Sequence, residues 1–262
     1  MLVAVIMGSG SLVAETARPA VVRQDTRALH GTLSTIVLDD GHLISVARPD
    51  RPTGQWVWYC LGAYWSATEV VASTPEGMRY ANSFLDAGLT LVSQSVQGHG
   101  SKASADLLER VYQRVTVEFT LAPKARLFAQ SRGGLDAYGY AWCFPEHVDR
   151  IAGTFPVSDW FDWPGVDIIP NTSTDVRFTQ DELARLRELN PIGRLAALAA
   201  RHIPILHVHG DTDTVVHIGP NSLVLAERYR ALGGEATIVV IRGGGHTEIG
   251  FYRSELDAFI RK

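Results

Sequence analysis

Two apolar rhythms share the chain. Short stretches that alternate, or that are apolar throughout, predict strands, and longer stretches with apolar residues three and four apart predict helices. Thr32 to Leu38 and His42 to Ala47 alternate, and Asp39-Asp40-Gly41 between them is a hairpin turn signal. After a loop carrying Pro49 and Pro52, Trp56 to Leu61 reads as a strand buried on both faces. Met78, Ala81 and Leu85 mark a helix that Gly88 ends, and Leu89 to Val92 begins the next strand. A polar loop, Gln94 to Ser101, leads to a long helix with Leu107, Leu108, Val111, Val115 and Phe119 on one face. Ala125 to Ala129 is a strand running into Ser131. The helix after it extends to about Phe144, where Pro145 stops it. Ile151 to Val157 is again a strand.

Between Ser158 and Asn190 the rhythm breaks. Trp160, Phe161, Trp163 and Pro164 cluster, and the capping box Thr179-Gln180-Asp181-Glu182 opens a short amphipathic helix. This stretch reads as a small lid-like insertion. Ile203 to His209 resumes the strands. A helix covers about Ser222 to Leu232, Ala236 to Ile241 is the last strand, and Glu255 to Ile260 is a final helix. Strands alternating with helices predict an α/β fold: a mostly parallel twisted sheet of about eight strands, helices on both faces, and an antiparallel edge from the opening hairpin. The expected organisation is a leader over residues 1–20 and one domain over 21–262, with 158–190 inserted into it.

Composition narrows the function. The net charge of −4 over 262 residues, with no basic run, argues against a nucleic-acid partner. No stretch approaches the roughly 20 apolar residues of a membrane span. Cys60 and Cys143, both in apolar surroundings, are read as buried free thiols. Leu2 to Met7 is apolar and Gly8 to Ala14 small. That leader reads either as a weak secretory signal with a break near Ala17, or as a disordered segment or one preceding the true start. A cytoplasmic protein is the expectation, with a secreted or periplasmic one as the alternative.

Three clusters carry chemistry. Ala129-Gln130-Ser131-Arg132-Gly133-Gly134 places a serine, flanked by small residues, at a sharp strand-to-helix turn. His209-Gly210-Asp211-Thr212-Asp213 offers two carboxylates just past a strand. Gly243-Gly244-Gly245-His246 puts an imidazole on a pliable loop. A hydroxyl is a poor nucleophile at neutral pH. It needs an imidazole to take its proton and a carboxylate to orient that imidazole. A metallic reading of His207-x-His209-x-Asp211 also exists, but Thr212 stands where the corresponding zinc motif needs histidine. No metal is expected.

Around these clusters the candidates are less defined. Two backbone N–H groups would stabilise an oxyanion: that of Arg132 and one from Gly62, Ala63 or Tyr64. The Arg132 guanidinium either helps the oxyanion, pairs with a substrate carboxylate, or holds the turn through a salt bridge. His99 is a candidate substrate contact. Trp160, Phe161 and Trp163 either line a pocket or pack in the core. Asp159 is a reserve acid and a candidate substrate contact.

Nucleophile, acid and histidine in that order resemble the triad of an α/β-hydrolase, over nearly all of the chain from about Gly31 onward. The H-G-x-x-D pattern of that superfamily matches His209 to Asp213, which selects Asp213 as the acid and leaves Asp211 as a turn residue. The elbow and the segment Pro156 to Gly165 resemble bacterial prolyl-oligopeptidase-like hydrolases and carbohydrate esterases. Their motifs are G-x-S-R-G-G and P-V-x-D-x-x-x-W-P-G, with Ala129 here in place of the first glycine. The Ser-Arg pair is also similar to that of glucuronoyl esterases, where the arginine assists the oxyanion. The resemblance implies ester hydrolysis through an acyl-serine, without a cofactor. The expected partner is a small-molecule ester, carbohydrate-linked esters included; the oligomeric state is left open. A small serine aminopeptidase and a non-catalytic binding protein on the same scaffold are the alternatives.

Overall fold

A computed structural model of the chain describes residues 21–24, 29–62, 74–96, 98–163, 178–246 and 252–262. The expected leader, the candidates Ala63 and Tyr64, and residues 164–177 of the insertion lie outside the described residues.

Trp56, Trp58 and Cys60 belong to one apolar cluster, and Val57, Tyr59 and Leu61 to another. Successive side chains of a strand point to opposite faces, so this segment, the strand β4 (Trp56–Cys60), separates two cores. One core contains residues of α2 (Lys102–Phe119), α3 (Gly133–Cys143) and the helices Ala196–Ala200 and Val224–Ala231. The other contains residues of α1 (Pro75–Asp86) and the helix Ser254–Arg261. Helices thus cover both faces. Fully burying side chains such as Val57 or Leu91 contributes roughly 2 kcal/mol each.

The remaining strands are β1 (Val21–Gln24), β2 (Thr32–Val37), β3 (Leu43–Arg48), β5 (Thr90–Gln94), β6 (Ala125–Gln130), β7 (Val148–Thr154), β8 (Ile205–Gly210) and β9 (Ala236–Ile241). They form one nine-stranded sheet in the order β1-β2-β3-β5-β4-β6-β7-β8-β9. The pairs from β1 to β5 are antiparallel, and those from β5 through β4 to β9 are parallel. The carboxyl ends of β6, β8 and β9 therefore open on one edge of the sheet, where an α/β fold places its ligands.

Three differences from the expected elements have physical causes. The ninth strand, β1, is four residues of Val-Val-Arg-Gln, too short to show a rhythm; pairing with β2 defines it. β7 begins at Val148 and stops at Thr154, three residues before Val157, because Phe155 turns with φ 38° and Pro156 offers no N–H. The helix expected from Ser222 opens instead with one turn of π-helix, Gly219–Leu223. The capping box forms as expected, with Thr179 Oγ1 accepting from Glu182 N and Glu182 Oε2 from Thr179 N. Both cysteines are free, but only Cys60 is fully buried. Burial pushes the Cys60 thiol far above its ordinary range and Cys143, half-buried at the end of α3, up to about 11.

Candidate active site

The geometry around Ser131 begins with β6, buried between β4 and β7. Ala129 lies beside Cys60 on one strand and Gly153 on the other, where a small side chain fits. The chain then reverses into α3 within two residues. Ser131 adopts φ 49°, a left-handed conformation that costs a residue with a Cβ about 1–3 kcal/mol. Neighbouring backbone holds it there. Ser131 N–H donates to Thr154 O at 3.1 Å, and Ser131 O accepts from Gly134 N at 3.0 Å and Val157 N at 2.8 Å. Gly133 is required by close approach, since a Cβ there would lie 2.0 Å from Cys60 O.

The loops after β8 and β9 are laced together. Gly243 N–H donates to Asp211 Oδ1 at 2.7 Å, and Gly244 O accepts from both Thr212 N (3.0 Å) and Thr212 Oγ1 (2.9 Å). Gly210 permits this contact, because a Cβ there would meet Gly244 O at 2.1 Å. Asp211 is thus a loop fastener, and Asp213 faces the other way. The lacing carries His246 over the elbow, with its ring against Phe155 at 4.4 Å between centroids.

Three of the predicted residues meet in one chain of contacts. Ser131 Oγ lies 2.9 Å from His246 Nε2, and His246 Nδ1 lies 2.8 Å from Asp213 Oδ2. Asp213 Oδ1 accepts from the N–H groups of Val215 and Val216, both at 2.9 Å. Burial opposes ionisation of Asp213. Hydrogen bonds from His209, His246, Val216 and Val215 outweigh it and hold the carboxyl well below the usual carboxylate range. Such an arrangement can draw a proton from the serine hydroxyl onto the imidazole and steady the imidazolium against a carboxylate.

The other candidates fall into place differently. The Arg132 guanidinium is buried, donating to Asp136 Oδ2 at 2.9 Å and to Leu61 O at 3.1 Å. Of its three readings the salt bridge is present, and the second donation, to Leu61 O, ties the elbow to the segment just past β4. Gly62 is buried just past β4. Asp159 does not reach His246. Its Oδ1 accepts from Phe161 N at 2.9 Å and Asn190 Nδ2 at 2.6 Å, so the reserve acid serves a turn. Trp160 is fully buried, edge-on to Phe178 at 5.0 Å, with its Nε1 donating to His99 O at 3.1 Å. It packs in a third apolar cluster with Leu135, Val157 and Val216, which corrects its reading as a pocket wall. His99 is buried with Nδ1 unpartnered and its ring stacked on half-buried Trp163, centroids 6.2 Å apart. Burial lowers the His99 imidazole below its ordinary range.

Sequence reasoning passed over two asparagines and a serine. Asn221 Oδ1 accepts from Ser158 N (2.8 Å) and Asp159 N (3.0 Å), and Asn190 Oδ1 accepts from Trp160 N (3.1 Å). Together they pin the start of the insertion. Ser222 lies between His207 and His209. Both ring nitrogens of each histidine are engaged in hydrogen bonds. The signal available was the alternation in His207-Val208-His209, which puts both imidazoles on one face of a buried strand.

No family model matches the sequence, and a search of curated proteins returns no relative. Solved structures do match. An S-formylglutathione hydrolase from Agrobacterium tumefaciens superposes with a TM-score of 0.68 at 14% identity, covering 92% of this chain and 95% of that one. A sugar hydrolase from Lactococcus lactis gives 0.60 at 18% identity, over 86% and 90%. An acylaminoacyl peptidase from Pyrococcus horikoshii gives 0.57 at 14%, over 88% of this chain but 37% of its own. A metagenomic enzyme described as an α/β hydrolase matches at 0.51. Sheet order, elbow and superpositions agree that this chain has the α/β-hydrolase fold.

Proposed function

We propose that the protein is a serine hydrolase, a carboxylesterase acting on small or carbohydrate-linked esters. The observation that carries the reading is the unbroken contact chain from Ser131 Oγ through His246 to Asp213. Ser131 Oγ attacks the ester carbonyl carbon while His246 Nε2 takes the hydroxyl proton. The tetrahedral oxyanion is met by the N–H of Arg132, at the start of α3, and by one from the loop beginning at Gly62. The C–O bond to the alcohol then breaks and His246 returns the proton to the departing oxygen. Water, deprotonated by the same imidazole, releases the acid from the acyl-serine. Asp213 keeps His246 Nδ1 protonated and Nε2 free to accept.

The S-formylglutathione hydrolase and the sugar hydrolase match over most of their own lengths, whereas the acylaminoacyl peptidase matches over 37% of its own; this likeness is one of fold. Half-buried Trp163, stacked on His99, is the candidate aromatic contact for a substrate ring. The test is Ser131→Ala with p-nitrophenyl acetate and a fluorophosphonate probe. The variant is expected to fold, to lose turnover by orders of magnitude and to lose covalent labelling. Undiminished turnover by the folded variant refutes the assignment. Folded wild-type protein that neither labels nor turns over any ester favours a binding protein on this scaffold.

A further inference from the structure

Asp213 is held by more than the serine and histidine require. Its Oδ2 faces two imidazoles, His246 Nδ1 at 2.8 Å and His209 Nε2 at 3.5 Å. His209 Nε2 also lies 2.8 Å from Val216 O. A carbonyl oxygen only accepts, so Nε2 carries the proton. With one proton on the ring, His209 Nδ1 is a lone pair, and Ser222 Oγ, 2.8 Å away, donates to it. With its single proton committed, Ser222 accepts from His207 Nδ1 at 2.9 Å. His207 Nε2 is left as an acceptor, and Tyr138 O–H donates to it at 2.7 Å. Each proton position follows from the one before.

All four side chains are buried, and His207, His209 and Ser222 completely. The π-helical turn Gly219–Leu223 carries Ser222 to the point between the two rings. The titratable groups facing Asp213 are His209 and His246. Those around His207 are Tyr138 and His209, with Tyr229 acting on Tyr138 from further off. Burial raises the Tyr138 phenol well above its ordinary range and, with His209 beside it, lowers His207 to about 3. Both members stay neutral, and the order of protons does not reverse.

We propose that Tyr138, Ser222 and His207 lock the tautomer of His209, and that the locked Nε2–H positions Asp213 by keeping Oδ2 turned toward His246. The opposite tautomer would aim a lone pair at both Val216 O and Asp213 Oδ2 and drive the carboxylate off the histidine. The proposal rests on the reading of Ser131, His246 and Asp213 as the reacting groups. His209 acts through Asp213 and is a positioning residue.

Two measurements test it. In wild-type protein, ¹⁵N-resolved imidazole spectra at neutral pH should show His207 protonated on Nδ1 and His209 on Nε2, with His207 not titrating between about pH 5 and 8. In kinetics normalised to fluorophosphonate-labelled sites, His209→Phe should lower kcat on p-nitrophenyl acetate by about tenfold or more with KM little changed. Its kcat/KM acid limb should move to higher pH, because a carboxylate lacking the second N–H grips the imidazolium more tightly. His209→Gln, which keeps an N–H donor, should recover much of both. A merely structural role would lower stability without moving the limb. Failure of the wild type to label at Ser131 would defeat the hydrolase reading itself. Normal labelling with His209 protonated on Nδ1, or with superimposable pH profiles, defeats the lock alone. Should His209→Phe not fold, the wild-type spectra still decide.

Discussion

The buried His207 makes stability depend on pH in a calculable way. Its imidazole is fully enclosed, bonded at both nitrogens, and lowered from 6.5 to about 3 by burial and by His209. In the unfolded chain it takes up a proton near pH 6.5; in the folded chain it stays neutral until about pH 3. Between those values the unfolded state holds more protons, so stability rises with pH there and this contribution is complete above the unfolded value. It is lost as pH falls through the window, at up to about 1.4 kcal/mol per pH unit. Across the whole window that amounts to about 5 kcal/mol, against a total stability on the order of 5–15 kcal/mol. The perturbation is His207→Gln, whose amide can accept from Tyr138 and donate to Ser222 without titrating. Urea unfolding followed by tryptophan fluorescence at a series of pH values gives both curves. Wild type is expected to lose stability more steeply below about pH 6, by close to one proton's slope. Contributions from Asp213 and His99 are common to both proteins and cancel. Parallel curves would mean that His207 protonates inside the fold, and the reasoning from burial would fail.

Three other outcomes follow from the site. Ser131→Gly and Ser131→Ala both lose the contact with His246, but only glycine adopts φ 49° without strain. The glycine variant should therefore melt about 2–4 °C higher, measured by scanning calorimetry. Arg132→Met strands the buried Asp136 carboxylate and should cost about 3–5 kcal/mol in denaturant unfolding. Adding Asp136→Leu should recover a large part of it, and a purely additive double-mutant cycle would contradict the pairing. Asp213→Asn should leave KM nearly unchanged and lower kcat about a thousandfold or more, because an amide N–H can turn the imidazole to the wrong tautomer.

What could be read in advance divides along physical lines. β6, β8 and β9 are legible because rhythm, length and flanking turns are local properties, and they place Ser131 and the two loops that carry Asp213 and His246 at strand ends. Trp160 was ambiguous because an aromatic side chain fits a core and a pocket equally well by type; the Phe178 ring and the His99 carbonyl around it come from distant segments. Asp159 and Asp213 both follow a strand, and local pattern alone does not rank them. Asn190 ranks them: its amide engages Asp159, while the Gly244 lacing brings His246 to Asp213. The π-helical turn has no local signal, since Gly219 to Leu223 would form an ordinary helix or loop in isolation. Its extra residue is tolerated because Ser222 gains two imidazole partners and Asn221 two backbone donors, each group otherwise buried without a partner. The same accounting explains why histidines rather than apolar residues occupy positions 207 and 209 of a buried strand: once Asp213 must remain charged beside them, polar groups that finish one another's hydrogen bonds cost less than an apolar wall against a carboxylate.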